Sequence, residues 1–131
     1  MPSECLFCGI ADGEIPADIV HNDELVVAFR DINPKAPTHI LLISREHIES
    51  AAELTDGHAS LLARLFVTAA AVARTEGVAE SGYRLVTNVG GDAGQSVHHL
   101  HLHLLGGRSM SWPRASAASS MRISPKPRGR R

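Results

Sequence analysis

Four histidines fall within residues 98–103 of a chain that contains eight. The segment is Ser96-Val97-His98-His99-Leu100-His101-Leu102-His103-Leu104-Leu105. In an extended strand alternate side chains share a face. His99, His101 and His103 then project together, roughly 6–7 Å apart along the strand. Leu100, Leu102 and Leu104 project from the other face into a core, and parity puts His98 with them. A helix would scatter both sets. Two chemistries use imidazoles in this way. His-x-His on a strand is a zinc geometry, and open zinc sites use three protein ligands. Alternatively, a neutral imidazole offers a free nitrogen that attacks phosphorus, while its neighbours fix its tautomer and stabilise charge.

The preceding residues favour the second chemistry. Asn88-Val89-Gly90-Gly91-Asp92-Ala93-Gly94-Gln95-Ser96 is rich in glycine. Such a loop lets backbone N–H groups approach an anion closely, and Asn88, Gln95 and Ser96 add side-chain donors. Taken alone it is equally a turn; beside a histidine row it reads as a phosphate cradle serving a nucleophile. A second constellation, Cys5-Leu6-Phe7-Cys8, is half of a zinc site or a pair of thiols packed on a short helix. The βαβ pattern of a thioredoxin-like redox site is missing around it.

The elements that must position these groups follow from patterning. Residues 4–11 are a short helical candidate. Residues 17–21 and 25–30 are β-rich and flank Asn22-Asp23, which predicts a hairpin. Pro34 and Pro37 break the chain before a third apolar run, 39–43, and residues 45–54 have room for a short helix. The clearest helix is 55–75, with Leu61, Leu62, Leu65, Phe66, Ala69, Val72 and Ala73 on one face and Gly77 as C-terminal cap. Residues 83–89 and 97–105 read as two further strands. Five strands with one long helix before the last two predict an α+β fold. Short links between successive strands favour an antiparallel sheet.

Composition narrows the classes. At 131 residues and 14.0 kDa the chain suits one domain. Hydrophobic residues at 44% and charged residues at 21% argue against global disorder. The net charge of −1 conceals an asymmetry: residues 1–113 hold all 14 acidic groups and seven basic ones, a balance of −7. Residues 114–131 hold the other six basic groups, with serines and prolines. The boundary is therefore set near Pro113, giving a folded domain, 1–113, and a basic tail, 114–131, expected to be disordered. An acidic body is a poor nucleic-acid binder, which leaves only the tail for such contact. No apolar run approaches the ~20 residues of a membrane span, and no basic n-region opens the chain. Two cysteines three apart cannot build a secreted disulfide framework, so a cytoplasmic setting is expected.

The run from Gln95 to Arg108 closely resembles the histidine triad (HIT) superfamily, His-x-His-x-His with apolar residues between and after. Its ending, Gly106-Gly107-Arg108 with Met110 and Trp112-Pro113, resembles the Hint branch of nucleoside phosphoramidases. The likeness includes Phe29-Arg30-Asp31-Ile32-Asn33-Pro34-Lys35-Ala36-Pro37-Thr38-His39 and covers about residues 5–113. It implies a five-stranded antiparallel sheet that pairs with a second copy into a continuous sheet. The implied activity is hydrolysis of purine nucleoside phosphoramidates or related nucleoside monophosphate derivatives. His101 would attack the α-phosphorus and form a covalent nucleotidyl intermediate, with His99 and His103 flanking and His39 as a fourth histidine. Asp31 would hold the ribose. Leu6, Phe7, Ile10, Ile15, Phe29, Ile32 and Leu41 would face the base. Asn88, Gly94, Gln95 and Ser96 would hold the phosphate or leaving group, and Trp112 belongs to the same substrate site.

The likeness also implies that His47 and His99 complete a structural zinc site with Cys5 and Cys8, with no cofactor needed for catalysis. Within the superfamily the alternative is a dinucleoside polyphosphate hydrolase. Outside it stands a zinc-stabilised nucleotide-binding module with little turnover. Two positions depart from the branch. Trp112-Pro113-Arg114-Ala115 replaces the usual Trp-Pro-Pro-Gly, and His98 stands where an aromatic residue is common.

Overall fold

The computed structural model describes residues 5–112. The expected tail, 114–131, and its boundary at Pro113 lie outside the described residues. In chain order the elements are α1 (Leu6–Ala11), β1 (Ile19–Asn22), β2 (Val26–Arg30), β3 (Thr38–Ser44), α2 (Ala59–Glu76), β4 (Tyr83–Val86) and β5 (His101–Gly106). Short 3-10 turns lie at Ala51–Glu53, Asp56–His58 and Gly91–Ala93. The strands form one antiparallel sheet in the order β1-β2-β3-β5-β4. The expected α+β fold with a five-stranded antiparallel sheet is the one observed.

Local chemistry explains the hairpin. Asp23 accepts hydrogen bonds from the backbone N–H groups of Leu25 and Val26 at 2.8 and 2.9 Å, and meets His21 Nε2 at 2.6 Å. Burial raises its pKa, but these partners outweigh burial and bring it down to about 2.

Alternation sorts the sheet into two faces. Val26, Ala28, Ile40, Leu42, Leu102 and Leu104 pack with Leu61, Leu65, Ala69, Val72 and Ala73 of α2. Val27, Phe29, Leu41 and Ile43 pack on the other face with Phe7, Ile10 and Ala11 of α1. β3 lies between both layers, so all seven of its residues are buried. Replacing Leu65, at the centre of the larger core, with Ala would cost ~2–5 kcal/mol.

Several predicted boundaries shift. α2 starts at Ala59, because Thr55 and His58 form a capping box around a 3-10 turn. It ends at Gly77, which adopts the left-handed conformation as expected. On its predicted core face, Phe66 is instead 51% exposed, and Thr68 is buried. Thr68, three residues from Leu65 and four from Val72, falls inside the buried stripe at one margin, whereas Phe66 lies about 100° around the helix from Leu65, beyond the other margin. The short helix expected at 45–54 is only a 3-10 turn, Ala51–Glu53. β4 stops at Val86, and β5 begins at His101 rather than at residue 97. His99 N–H bonds back to the Val97 carbonyl and Leu100 N–H to the Ile48 carbonyl, so this stretch cannot join the ladder. Among the described residues no helix is long and apolar enough to cross a membrane.

Candidate active site

β5 lies beside β3, with His101 opposite Ile43 and His103 opposite Leu41. Both imidazoles therefore emerge on the α1 face. The Phe7 ring from α1 stands edge-on to His101 at 5.1 Å and to His99 at 5.9 Å, keeping both on that side although His99 precedes the strand. His98, expected among the core leucines, is exposed. The turn at 97–99 breaks the alternation on which that expectation rested.

The backbone assigns the ring protons. His101 Nδ1 lies 2.5 Å from the His99 carbonyl, which can only accept. Nδ1 therefore carries the proton and Nε2 keeps a lone pair. Thr87, just past β4, donates its hydroxyl to the His101 carbonyl at 2.7 Å and steadies the strand where the ladder ends. His39 Nδ1 accepts from the Lys35 N–H at 3.0 Å, so its proton sits on Nε2. That Nε2–H faces His103 Nδ1 at 3.0 Å and an Asp31 oxygen at 3.3 Å. His103 must accept at Nδ1, which leaves its own proton on Nε2. The His101 and His103 rings stand 5.1 Å apart. One presents a lone pair and the other an N–H.

Burial lowers the pKa of His39, His99, His101 and His103, and takes His103 to about 4 with the neighbouring His101 and His39 adding to the effect. All four rings are neutral near pH 7. Asp31, His39 and His103 also gather their ligand atoms within 4.8 Å. The Lys35 N–H occupies one nitrogen of His39 and the shared proton the other, so this group is a hydrogen-bond relay rather than a cation site.

The other cluster has the opposite character. His99 donates from Nε2 to the Ser44 carbonyl at 2.6 Å, leaving the Nδ1 lone pair 3.2 Å from Cys5 Sγ and 3.6 Å from Cys8 Sγ. His47 Nδ1 lies 3.2 Å from Cys8 Sγ. All four ligand atoms fall within 4.8 Å of one another. A tetrahedral zinc with ordinary bond lengths sets neighbouring sulfur and nitrogen ligands ~3.5 Å apart, so this donor set fits that ion. Burial pushes the Cys8 thiol up to about 11, so a cation is needed to ionise it near neutral pH. Arg45 ties the end of α1 to β3, donating to the Ala11 carbonyl at 2.7 Å and the Asp23 carbonyl at 2.6 Å.

The remaining expected residues divide. Gln95, expected on the phosphate, is spent inside the loop. Its Nε2 donates to the Glu49 and Val97 carbonyls at 2.8 and 3.1 Å, and its Oε1 accepts from Gly90 N–H at 2.8 Å. The Ser96 hydroxyl is exposed and Asn88 half-buried, and neither side chain has a hydrogen-bond partner among the described residues. Gly94 is in the left-handed conformation and closes the 3-10 turn. Of the expected base contacts, Phe7, Ile10, Phe29 and Leu41 are buried in the smaller core, Ile15 packs at its margin, and Leu6 is half exposed. Ile32 is 98% exposed and Trp112 77%. Sequence reasoning missed the Ser44 carbonyl, the Lys35 N–H, Thr87 and Arg45. Most act through or upon backbone groups, which no motif advertises.

A family model described as the HIT domain matches residues 12–110. The chain belongs to the HIT domain family. It is 48% identical over 110 residues to the purine nucleoside phosphoramidase of Escherichia coli K12, a match covering 84% of this chain and 92% of that one. It is 48% identical over 113 residues to a 14 kDa zinc-binding protein of Zea mays, covering 85% and 88% respectively. Among solved structures, a HIT family hydrolase from Legionella pneumophila Philadelphia 1 superposes with a TM-score of 0.82 at 53% identity, covering 83% of this chain and 97% of that one. This HIT protein is a histidine triad hydrolase.

Proposed function

We propose that the protein hydrolyses purine nucleoside phosphoramidates through a nucleotidyl–histidine intermediate on His101. The observation that carries this is the proton assignment: His101 Nδ1–H is held by the His99 carbonyl, so Nε2 is its one available lone pair. As Nε2 bonds to the α-phosphorus, the P–N bond breaks and the leaving amine takes a proton from solvent, which the water attacking in the second step returns. His103 donates its Nε2–H to a phosphoryl oxygen, where charge develops. Water then attacks the same phosphorus, breaks its bond to His101 and releases the nucleoside monophosphate. Ser96 and Asn88 serve the phosphate or the leaving nitrogen with the free donors noted above, beside Gly94. Asp31 takes the ribose hydroxyls. The base lies over Leu6, Ile15 and Ile32, with Phe7, Ile10, Phe29 and Leu41 as the wall beneath, and Trp112 closes the leaving-group side. The 48% identity to a purine nucleoside phosphoramidase supports the substrate class. Rapid quenching with adenosine 5′-phosphoramidate tests the reading: a nucleotidyl adduct should be trapped on His101. An adduct on His99 or His103, or none under rapid turnover, would reject it.

Cys5, Cys8, His47 and His99 are proposed to hold one structural zinc, and their thiolates suit a reducing, cytoplasmic setting. The protein is also proposed to be a homodimer. α2 carries a second apolar stripe, Ala63, Phe66, Val67, Ala70 and Ala71, that is largely exposed, and β4 leaves one sheet edge unpaired among the described strands. Residues 1–113 form the catalytic domain in this reading, and residues 114–131 take no part in the chemistry. Light scattering on chains with and without the tail should give twice the monomer mass for each, with turnover unchanged within a few-fold.

A further inference from the structure

Lys35 touches the site through its backbone. Its N–H bonds to His39 Nδ1, while its ammonium turns to the Asn33 carbonyl at 3.1 Å. The Lys35 carbonyl accepts two hydrogen bonds from one guanidinium, Arg108 Nε at 3.1 Å and Nη2 at 3.0 Å. Arg108 Nη1 donates to the Ser109 carbonyl at 3.0 Å. Among the described residues no carboxylate pairs with Arg108. The charge is thus spent on holding backbone. The approach is also sterically built. Gly107 has φ 93°, and a Cβ there would stand 2.9 Å from Pro37 Cβ. Glycine at 107 lets the turn after β5 press against the loop that contains Lys35.

We propose that Arg108 is a positioning residue that sets the tautomers of His39 and His103. The proposal deepens the reading above, in which His103 donates to the substrate. Arg108 holds the 35–36 peptide, which shares the Lys35 Cα with the 34–35 peptide that carries the N–H; with residue 35 so held, its N–H selects the Nε2–H form of His39, and that N–H selects the Nε2–H form of His103. If residue 35 is released and its N–H moves away, His39 Nδ1 is free to take the proton. His39 Nε2 then accepts from His103 Nδ1–H, and His103 turns a lone pair toward the phosphoryl oxygen in place of a donor. The planar guanidinium fork grips one carbonyl with two donors at fixed geometry, which a lysine ammonium cannot reproduce.

Long-range ¹⁵N–¹H spectra of the full-length chain, zinc-loaded and labelled at histidine, test the link without substrate. In the wild type His39 and His103 should both be Nε2–H. Arg108→Ala should give mixed tautomers at both rings. On adenosine phosphoramidate it should lower kcat about tenfold with KM within twofold, the mark of an interaction made in the transition state. Arg108→Lys should fall between. Unchanged tautomers in Arg108→Ala overturn the proposal, as does a wild-type His39 protonated on Nδ1. A raised KM with full kcat also overturns it, since Arg108 would then only shape binding. Expected tautomers in a wild type that turns over no phosphoramidate would reject the proposed function and leave the link from Arg108 to His39 standing.

Discussion

His99 and His101 are two residues apart, of one type, both packed on the Phe7 ring, yet their free nitrogens face opposite tasks. His99 is 0% exposed and locks Nε2–H on the Ser44 carbonyl, so Nδ1 looks into the cysteine pair. His101 locks Nδ1–H on the His99 carbonyl, so its lone pair is on Nε2, and its ring stands 5.1 Å from that of His103. One carbonyl acceptor, placed on one nitrogen or the other, suits the first imidazole to the proposed zinc and the second to the proposed attack on phosphorus. In the proposed reading the row has a closed end, which would hold a cation, and an open end, which would carry the reaction.

The sharpest way to break this division is to remove the open end. His101→Ala should lower turnover at least ~10³-fold, the scale of losing an activated nucleophile, while zinc content stays at one per chain. Steady-state turnover within tenfold of wild type would mean that His99 or His103 can substitute, and the two ends would not differ. Next comes the closed end. Cys8→Ser should reduce bound zinc and destabilise the fold by ~2 kcal/mol or more, roughly 8 °C in Tm for a chain of this size. Metal analysis and calorimetry check it, and unchanged Tm with zinc absent would make the cluster a packed thiol pair.

The smallest effect is a pH dependence that belongs to the open end. His103 titrates near 4 in the fold against an ordinary value of 6.5, chiefly through burial. The unfolded chain binds its proton first as pH falls, so stability is complete above about 6.5 and is lost progressively toward 4. The slope for one such histidine approaches ~1.4 kcal/mol per pH unit within that window. Denaturant unfolding between pH 7 and 5 should show it, and His103→Gln should flatten the curve by one proton. An equal slope in that variant would assign the acid sensitivity to groups other than His103, such as the buried His39, His99 and His101.

Much of this site is legible in the chain as written. Period-two alternation separates His101 and His103 from Leu102 and Leu104, because the pleat admits only two faces; His99, ahead of the strand, keeps the histidine side through the Phe7 ring. The spacing of Cys5 and Cys8 marks half a cation site. Less legible was residue 98, where a turn held by Val97 and Ile48 carbonyls overrides parity. Gln95 carried the right chemistry for a phosphate ligand, yet its amide found three backbone partners closer to hand. Phe66 had the right type for the core and the wrong angle around α2.

Residue order alone therefore determined which side chains of a strand share a face, which runs are apolar, and which donor types are present. Those are consequences of covalent periodicity and of apolar burial, and both are written locally. The proton on each imidazole was decided only by the folded chain. It depends on the Ser44 carbonyl, the His99 carbonyl and the Lys35 N–H, and on Arg108 reaching Lys35 across 73 positions. Every residue but proline owns such a donor and an acceptor, so their identities carry no signal until tertiary contact chooses among them.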